Sequence, residues 1–166
     1  MTDPPADHAA EVMAQWRRER PDLDVAPQGL IGRLHRLAAA LYEELDTVYA
    51  RFGVSDGEFD VLATLRRAGE PFELTPTQLA ASTMVTSGAV SKRLDRLEAA
   101  GLVRRERSAT DGRGRVVGLT SAGRELIDEA FTAHIANEHR LLGGLDAHDR
   151  AELERLLVTW SGHVGA

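Results

Sequence analysis

The sequence predicts a mainly α-helical fold carrying one small β-hairpin, and three observations predict it. Apolar residues recur at three- and four-residue spacing through most of the chain, the period of helices with one buried face. Strand-like alternation is confined to two short runs, residues 102–107 and 115–120. Between them stands Asp111-Gly112-Arg113-Gly114, a turn by composition.

Residues 7–20 form the first expected helix, with Ala10, Val12, Met13 and Trp16 on a loose apolar side before Pro21 stops it. Residues 21–27 read as a connector. A long helix over residues 30–51 carries Leu30, Leu34, Leu37, Leu41, Leu45 and Val48 as a stripe. Phe52-Gly53-Val54 ends it. Ser55 then opens a capping box with Glu58, at the head of a helix populated by Phe59, Val61, Leu62 and Leu65. Residues 69–74 read as a turn into Thr75, which caps a short helix over residues 76–82, with Pro76 at the favoured first position.

The next helix, residues 86–100, stops at Gly101, since glycine tolerates the positive φ that a helix end requires. Val90, Leu94 and Leu97 commit one face to a core. At 100° per residue, Lys92 lies almost opposite that face, with Gly88 and Asp95 near it and Ser91 on its flank. Small residues let a backbone approach closely, and hydroxyls and a lysine reach base edges or phosphates, so this face suits the major groove of duplex DNA. The short helix and this one make a helix-turn-helix, and the hairpin adds a wing. A guanidinium at its tip, Arg113, suits a narrow minor groove, where the potential is most negative. The candidate DNA contacts are Thr86, Ser87, Ser91 and Lys92 on the helix and Arg113 and Arg115 on the hairpin.

Beyond the wing, Thr120-Ser121-Ala122-Gly123 starts a long helix to about residue 142, which Gly143-Gly144 breaks. A last helix over residues 146–163 carries Leu153, Leu156, Leu157 and Trp160. Both ends of the chain hold more leucine than so small a body buries. The expected organisation is therefore residues 1–53 and 121–166 as helical dimerisation regions around a winged lobe at 54–120. A two-fold dimer would set two recognition helices about one turn of DNA apart on a pseudo-palindrome.

Charge supports a nucleic-acid partner once its distribution is considered. The 166-residue chain carries a net −6, but residues 92–115 hold eight basic and four acidic side chains, a local +4 that leaves −10 elsewhere. The only lysine is Lys92. With no cysteine, disulfides, thiol redox sensing and zinc–thiolate sites are excluded. No apolar run approaches a membrane span and the acidic start is unlike a signal peptide, so a soluble, cytoplasmic protein is expected.

The pattern Ser91-x-x-Leu94-x-x-Leu97-Glu98-x-x-Gly101-Leu102-Val103-x-Arg105, then Asp111-x-Arg113-x-x-x-Val117-x-Leu119-Thr120-x-x-Gly123, resembles the MarR family of bacterial repressors over nearly the whole chain. By rotation Arg93 sits about 60° from Val90, at the edge of the core face, where a cation needs an anionic partner; Asp60 is the expected one. Trp16, Asp60, Arg93 and Arg105 together resemble the four-residue set of one MarR branch. Its repressors are released by urate, and it is similar to the pectinase- and trans-aconitate-linked regulators. The resemblance implies a small anionic effector, a urate-like purine or a polycarboxylate. Trp16 would stack on or bond it, Arg93 would neutralise it, and Asp60 would be repelled and pull on Arg105 and the wing.

Two other readings compete: a winged-helix module that binds proteins, and a regulator of this family answering to a phenolic or lipophilic effector. The Ser87/Ser91/Lys92 face and the arginine-rich wing argue against the first. An enzyme is not expected. The six histidines are scattered without zinc spacing, and no nucleophile elbow, phosphate loop or dinucleotide fingerprint occurs. No metal or cofactor is expected either.

Overall fold

Helix starts follow the side-chain caps written into the sequence. The protein, seen as a computed structural model, is described over residues 7–82, 87–107 and 115–165. It divides into two compact units, Met1–Glu44 and Leu45–Ala166.

In the first unit, α1 (His8–Glu19) is capped by Asp7, whose Oδ1 accepts from the Ala10 amide at 3.3 Å. Ala9 and Met13 are its buried residues, while Trp16 is 43% exposed. Asp7 also pairs with Arg33 on α2 (Ala26–Ala50). That helix begins four residues earlier than its leucine stripe predicts. Pro27 falls in its first turn, where a missing N–H costs nothing, and Asp24 Oδ1 accepts from the Ala26 amide at 3.0 Å. Leu30, Ile31 and Leu37 are exposed.

In the second unit, Ser55 heads α3 (Asp56–Arg67), its amide donating to Glu58 Oε2 at 2.9 Å. Thr75 and Gln78 form a second reciprocal cap on α4 (Pro76–Ser82): the Thr75 amide donates to Gln78 Oε1 at 2.9 Å and the Gln78 amide to Thr75 Oγ1 at 3.2 Å. The recognition helix α5 (Ser87–Ala99) closes at Gly101, where φ is +71°. There the Leu102 amide reaches back to the Leu97 carbonyl and the Gly101 amide to that of Glu98, both at 2.9 Å, a Schellman closure.

The sheet has three strands among the described residues, not two. β1 (Glu73–Leu74), β2 (Val103–Arg107) and β3 (Arg115–Leu119) are ordered β1-β3-β2, all antiparallel. Part of the segment expected to be only a turn, residues 69–74, thus supplies an edge strand pairing Glu73 with Gly118 and Leu74 with Val117. Two residues show no alternation, so a two-residue strand leaves no periodic signal.

Thr120 caps α6 (Ser121–Leu141), a single 3₁₀ turn follows over Leu142–Gly144, and Asp146 caps α7 (Ala147–Val164). The core of this unit is built on Leu62, Leu65, Leu79, Leu97, Val117 and Ile127, each under 3% exposed. Burying each such side chain contributes about 1.5–3 kcal/mol. Helix α7 behaves differently: it buries no residue, and Leu153, Leu156, Leu157 and Val158 are 39–68% exposed. No helix among the described residues is long and apolar enough to cross a membrane.

Candidate functional site

The recognition helix presents the faces that its sequence dictates. Val90, Leu94 and Leu97 are at most 4% exposed, and Ser91 and Lys92 face solvent. On the hairpin, Arg107 stands opposite Arg115 in the β2–β3 register, and both are exposed. Of the remaining expected DNA contacts, Thr86 and Arg113 lie outside the described residues, as does the side chain of Ser87.

The root of the wing explains the Leu-Thr-x-x-Gly signature. Thr120 Oγ1 donates to the Gly101 carbonyl at 2.7 Å and accepts from the Gly123 amide at 3.0 Å. The Thr120 amide donates to the Leu102 carbonyl at 3.1 Å. A Cβ on Gly123 would lie 1.9 Å from that same Leu102 oxygen, so only glycine lets α6 start there. One threonine and one glycine thereby pin the end of α5, the end of β3 and the start of α6 together.

Arginines on successive positions of β2 serve opposite faces. Arg104 reaches across Gly118, which has no side chain to obstruct it, and pairs with Glu73 at 2.5 Å; its Nε lies 3.0 Å from Glu106. Arg105 turns the other way. Its Nη2 lies 2.6 Å from Asp95 Oδ1 and its Nη1 3.6 Å from Glu98 Oε2, both on α5. Arg105 is thereby tied to the recognition helix.

Arg93 leans from α5 toward α3 as its rotation implies, and its seat there is a glycine, a neighbour the sequence does not single out. Its guanidinium lies over Gly57, where a Cβ would stand 2.1 Å from Arg93 Cζ. Its Nη1 is buried with no hydrogen-bond partner among the described residues. Leaving a buried donor unpaired costs about 1–3 kcal/mol, more for a charged group, so this nitrogen is primed for an acceptor. Asp60, half-buried, is one turn along α3 from Gly57. Trp16 belongs to the other unit.

An aromatic cluster was not visible in the sequence. The Tyr49 hydroxyl lies 3.1 Å from His134 Nδ1, and His134 Nε2 lies 3.3 Å from Glu138. Tyr49 stacks on Phe59 at 4.2 Å, and His134 tilts against it at 5.0 Å. Burial, and after it the Asp56, Glu138 and Asp60 carboxylates, push the Tyr49 phenol up to about 12. His134 is thus a packed residue, and among the described residues no three His, Asp or Glu side chains gather to hold a metal.

A capped helix-turn-helix with an exposed lysine face, flanked by a hairpin rich in arginine, defines a DNA-binding transcription regulator of the winged-helix kind. The MarR family profile matches residues 52–114. The chain is 38% identical to the transcriptional regulator PecS of Dickeya dadantii over 155 residues, 93% of each chain. Among solved structures, AbsC of Streptomyces coelicolor, a MarR family regulator, superposes with a TM-score of 0.76 at 26% identity, over 86% of this chain and 96% of AbsC. A cysteine-to-serine mutant of E. coli MarR in complex with operator DNA does so at 0.69 and 27% identity, over 81% of this chain and 94% of that one. This chain belongs to the MarR family; it is a transcription regulator and not an enzyme.

Proposed function

We propose that the protein is a homodimeric repressor, acting in the cytoplasm, that leaves a pseudo-palindromic operator when a small planar or polycarboxylate anion binds. The observation that carries the effector half is the buried, unpaired Nη1 of Arg93 on the recognition helix. An anionic oxygen there would form a charge-assisted hydrogen bond, among the stronger kinds available. Trp16 would offer its indole face to a planar ligand. An anion brought near the Asp60 carboxylate at short range costs a few kcal/mol unless that side chain shifts or protonates.

Because Arg93 and the partners of Arg105 all stand on α5, a displacement of that helix carries β2 with it. Release follows only if the form that binds ligand best is not the form that binds DNA best. In the DNA-bound form, Thr86, Ser87, Ser91 and Lys92 are proposed for the major groove and Arg113 and Arg115 for the wing. The exposed apolar residues of α2 and α7 support residues 1–53 and 121–166 as the dimerisation regions.

The test is fluorescence anisotropy on duplex DNA from upstream of the protein's own gene, titrated with salt and then with urate, xanthine or citrate. Affinity should fall steeply with salt, and one of the anions should release the DNA. Binding indifferent to salt would favour the protein-interaction reading. Release by salicylate or a lipophilic phenol alone would replace the proposed effector class.

A further inference from the structure

Gly57 occupies the first turn of α3, is buried, and does not adopt the left-handed backbone that favours glycine. Nothing in its backbone calls for glycine, the least favourable helix residue after proline. Its environment does. A Cβ at this position would fall 2.1 Å from Arg93 Cζ, 2.2 Å from Nε and 2.5 Å from Nη2, inside the guanidinium itself. The group it would strike is the far end of a long side chain, so an alanine would move Arg93 and leave the backbone of α3 where it is.

We propose that Gly57 is a positioning residue for anion recognition: its missing side chain forms the slot that seats the Arg93 guanidinium against α3 and holds Nη1 out of water and unpaired. This rests on the effector reading above and deepens it. The seated arginine takes a ligand with one compact anionic oxygen, such as a carboxylate or the enolate of an oxopurine, at Nη1. Without the slot Arg93 regains solvent, where its charge is hydrated and its attraction for an anion is weak.

The test is a double-mutant cycle on the full-length protein with Gly57→Ala and Arg93→Ala, read by thermal denaturation and by calorimetric titration with urate. If glycine is there only to admit Arg93, Gly57→Ala raises Tm in the Arg93→Ala background by more than it does in the wild type. Additive Tm changes overturn the slot whether or not urate binds. In the urate arm, Gly57→Ala alone should weaken binding by about tenfold or more, the worth of a hydrogen bond to a charged group. Loss in Arg93→Ala with wild-type affinity in Gly57→Ala overturns the positioning role. Wild-type affinity in Arg93→Ala overturns the effector reading itself, an outcome the thermal arm does not depend on. Should Gly57→Ala fail to fold alone, the double variant decides: its folding supports the slot, and its failure overturns it.

Discussion

Arg105 on the first wing strand donates to Asp95 on the recognition helix at 2.6 Å, so these two elements are joined by an ion pair as well as by the chain. Asp95 is itself exposed on the side of α5 that carries Lys92. Asp95→Ala removes an acidic group from the side of α5 proposed to face DNA and leaves the wing tied to the helix only through Glu98. The ratio of operator to random-duplex affinity should fall about fivefold, the scale of an exposed pair worth up to about 1 kcal/mol. An unchanged ratio in competition anisotropy would mean that the pair has no part in setting the wing.

Lys92→Ala should reduce the slope of log affinity against log salt by about 0.9 per protomer, the signature of one lost phosphate contact. A slope equal to that of the parent would place Lys92 away from the backbone of DNA.

Gly123→Ala forces a Cβ to within 1.9 Å of the Leu102 carbonyl oxygen, which is backbone and cannot step aside. A loss of about 3 kcal/mol is expected, seen as a Tm lower by about 6–12 °C. Gly143→Ala, with no atom within 4 Å of the added carbon, is the control and should stay within about 0.5 kcal/mol of the parent.

Leu156 and Leu157 are 49% and 42% exposed on a helix that buries nothing. Replacing both with glutamate should give a monomer by light scattering and abolish high-affinity operator binding. A dimer that persists would move the interface away from α7.

The Tyr49 phenol, raised from 10.0 to about 12, binds its proton more tightly folded than unfolded. Its contribution is complete below pH 10 and is lost as pH rises toward 12. Tyr49→Phe should therefore flatten the alkaline fall of Tm in that window. At neutral pH the lost bond to His134 costs about 1 kcal/mol. An alkaline limb as steep as the parent's would mean that another group governs it.

Much of this was legible in the sequence, and the reason is local. The faces of α5, its glycine stop and the threonine and serine caps follow from residues within a turn of one another, where 3.6-residue periodicity and cap chemistry act directly. What was not legible depends on packing. The start of α2 was hidden behind Pro27, which marks a helix start as readily as a connector. β1 is two residues long and is recognisable only by its pairing with β3. Arg93 was rightly turned inward, but its seat on Gly57 is a matter of shape, and a glycine beside a capping box gives no sign of what fills its space. The pairing of Arg105 with Asp95 and Glu98 joins a strand to a helix, a contact that no local spacing announces. The Tyr49–His134 contact joins residues 85 apart, beyond any spacing rule.

Lys92, exposed on α5, is also the sole ε-amine in the chain. Among side chains, a reagent selective for primary amines can therefore modify only this one. The extent of labelling at that one position with and without duplex, followed by mass spectrometry, would measure directly whether DNA covers the helix, with no dye or engineered tag to disturb it.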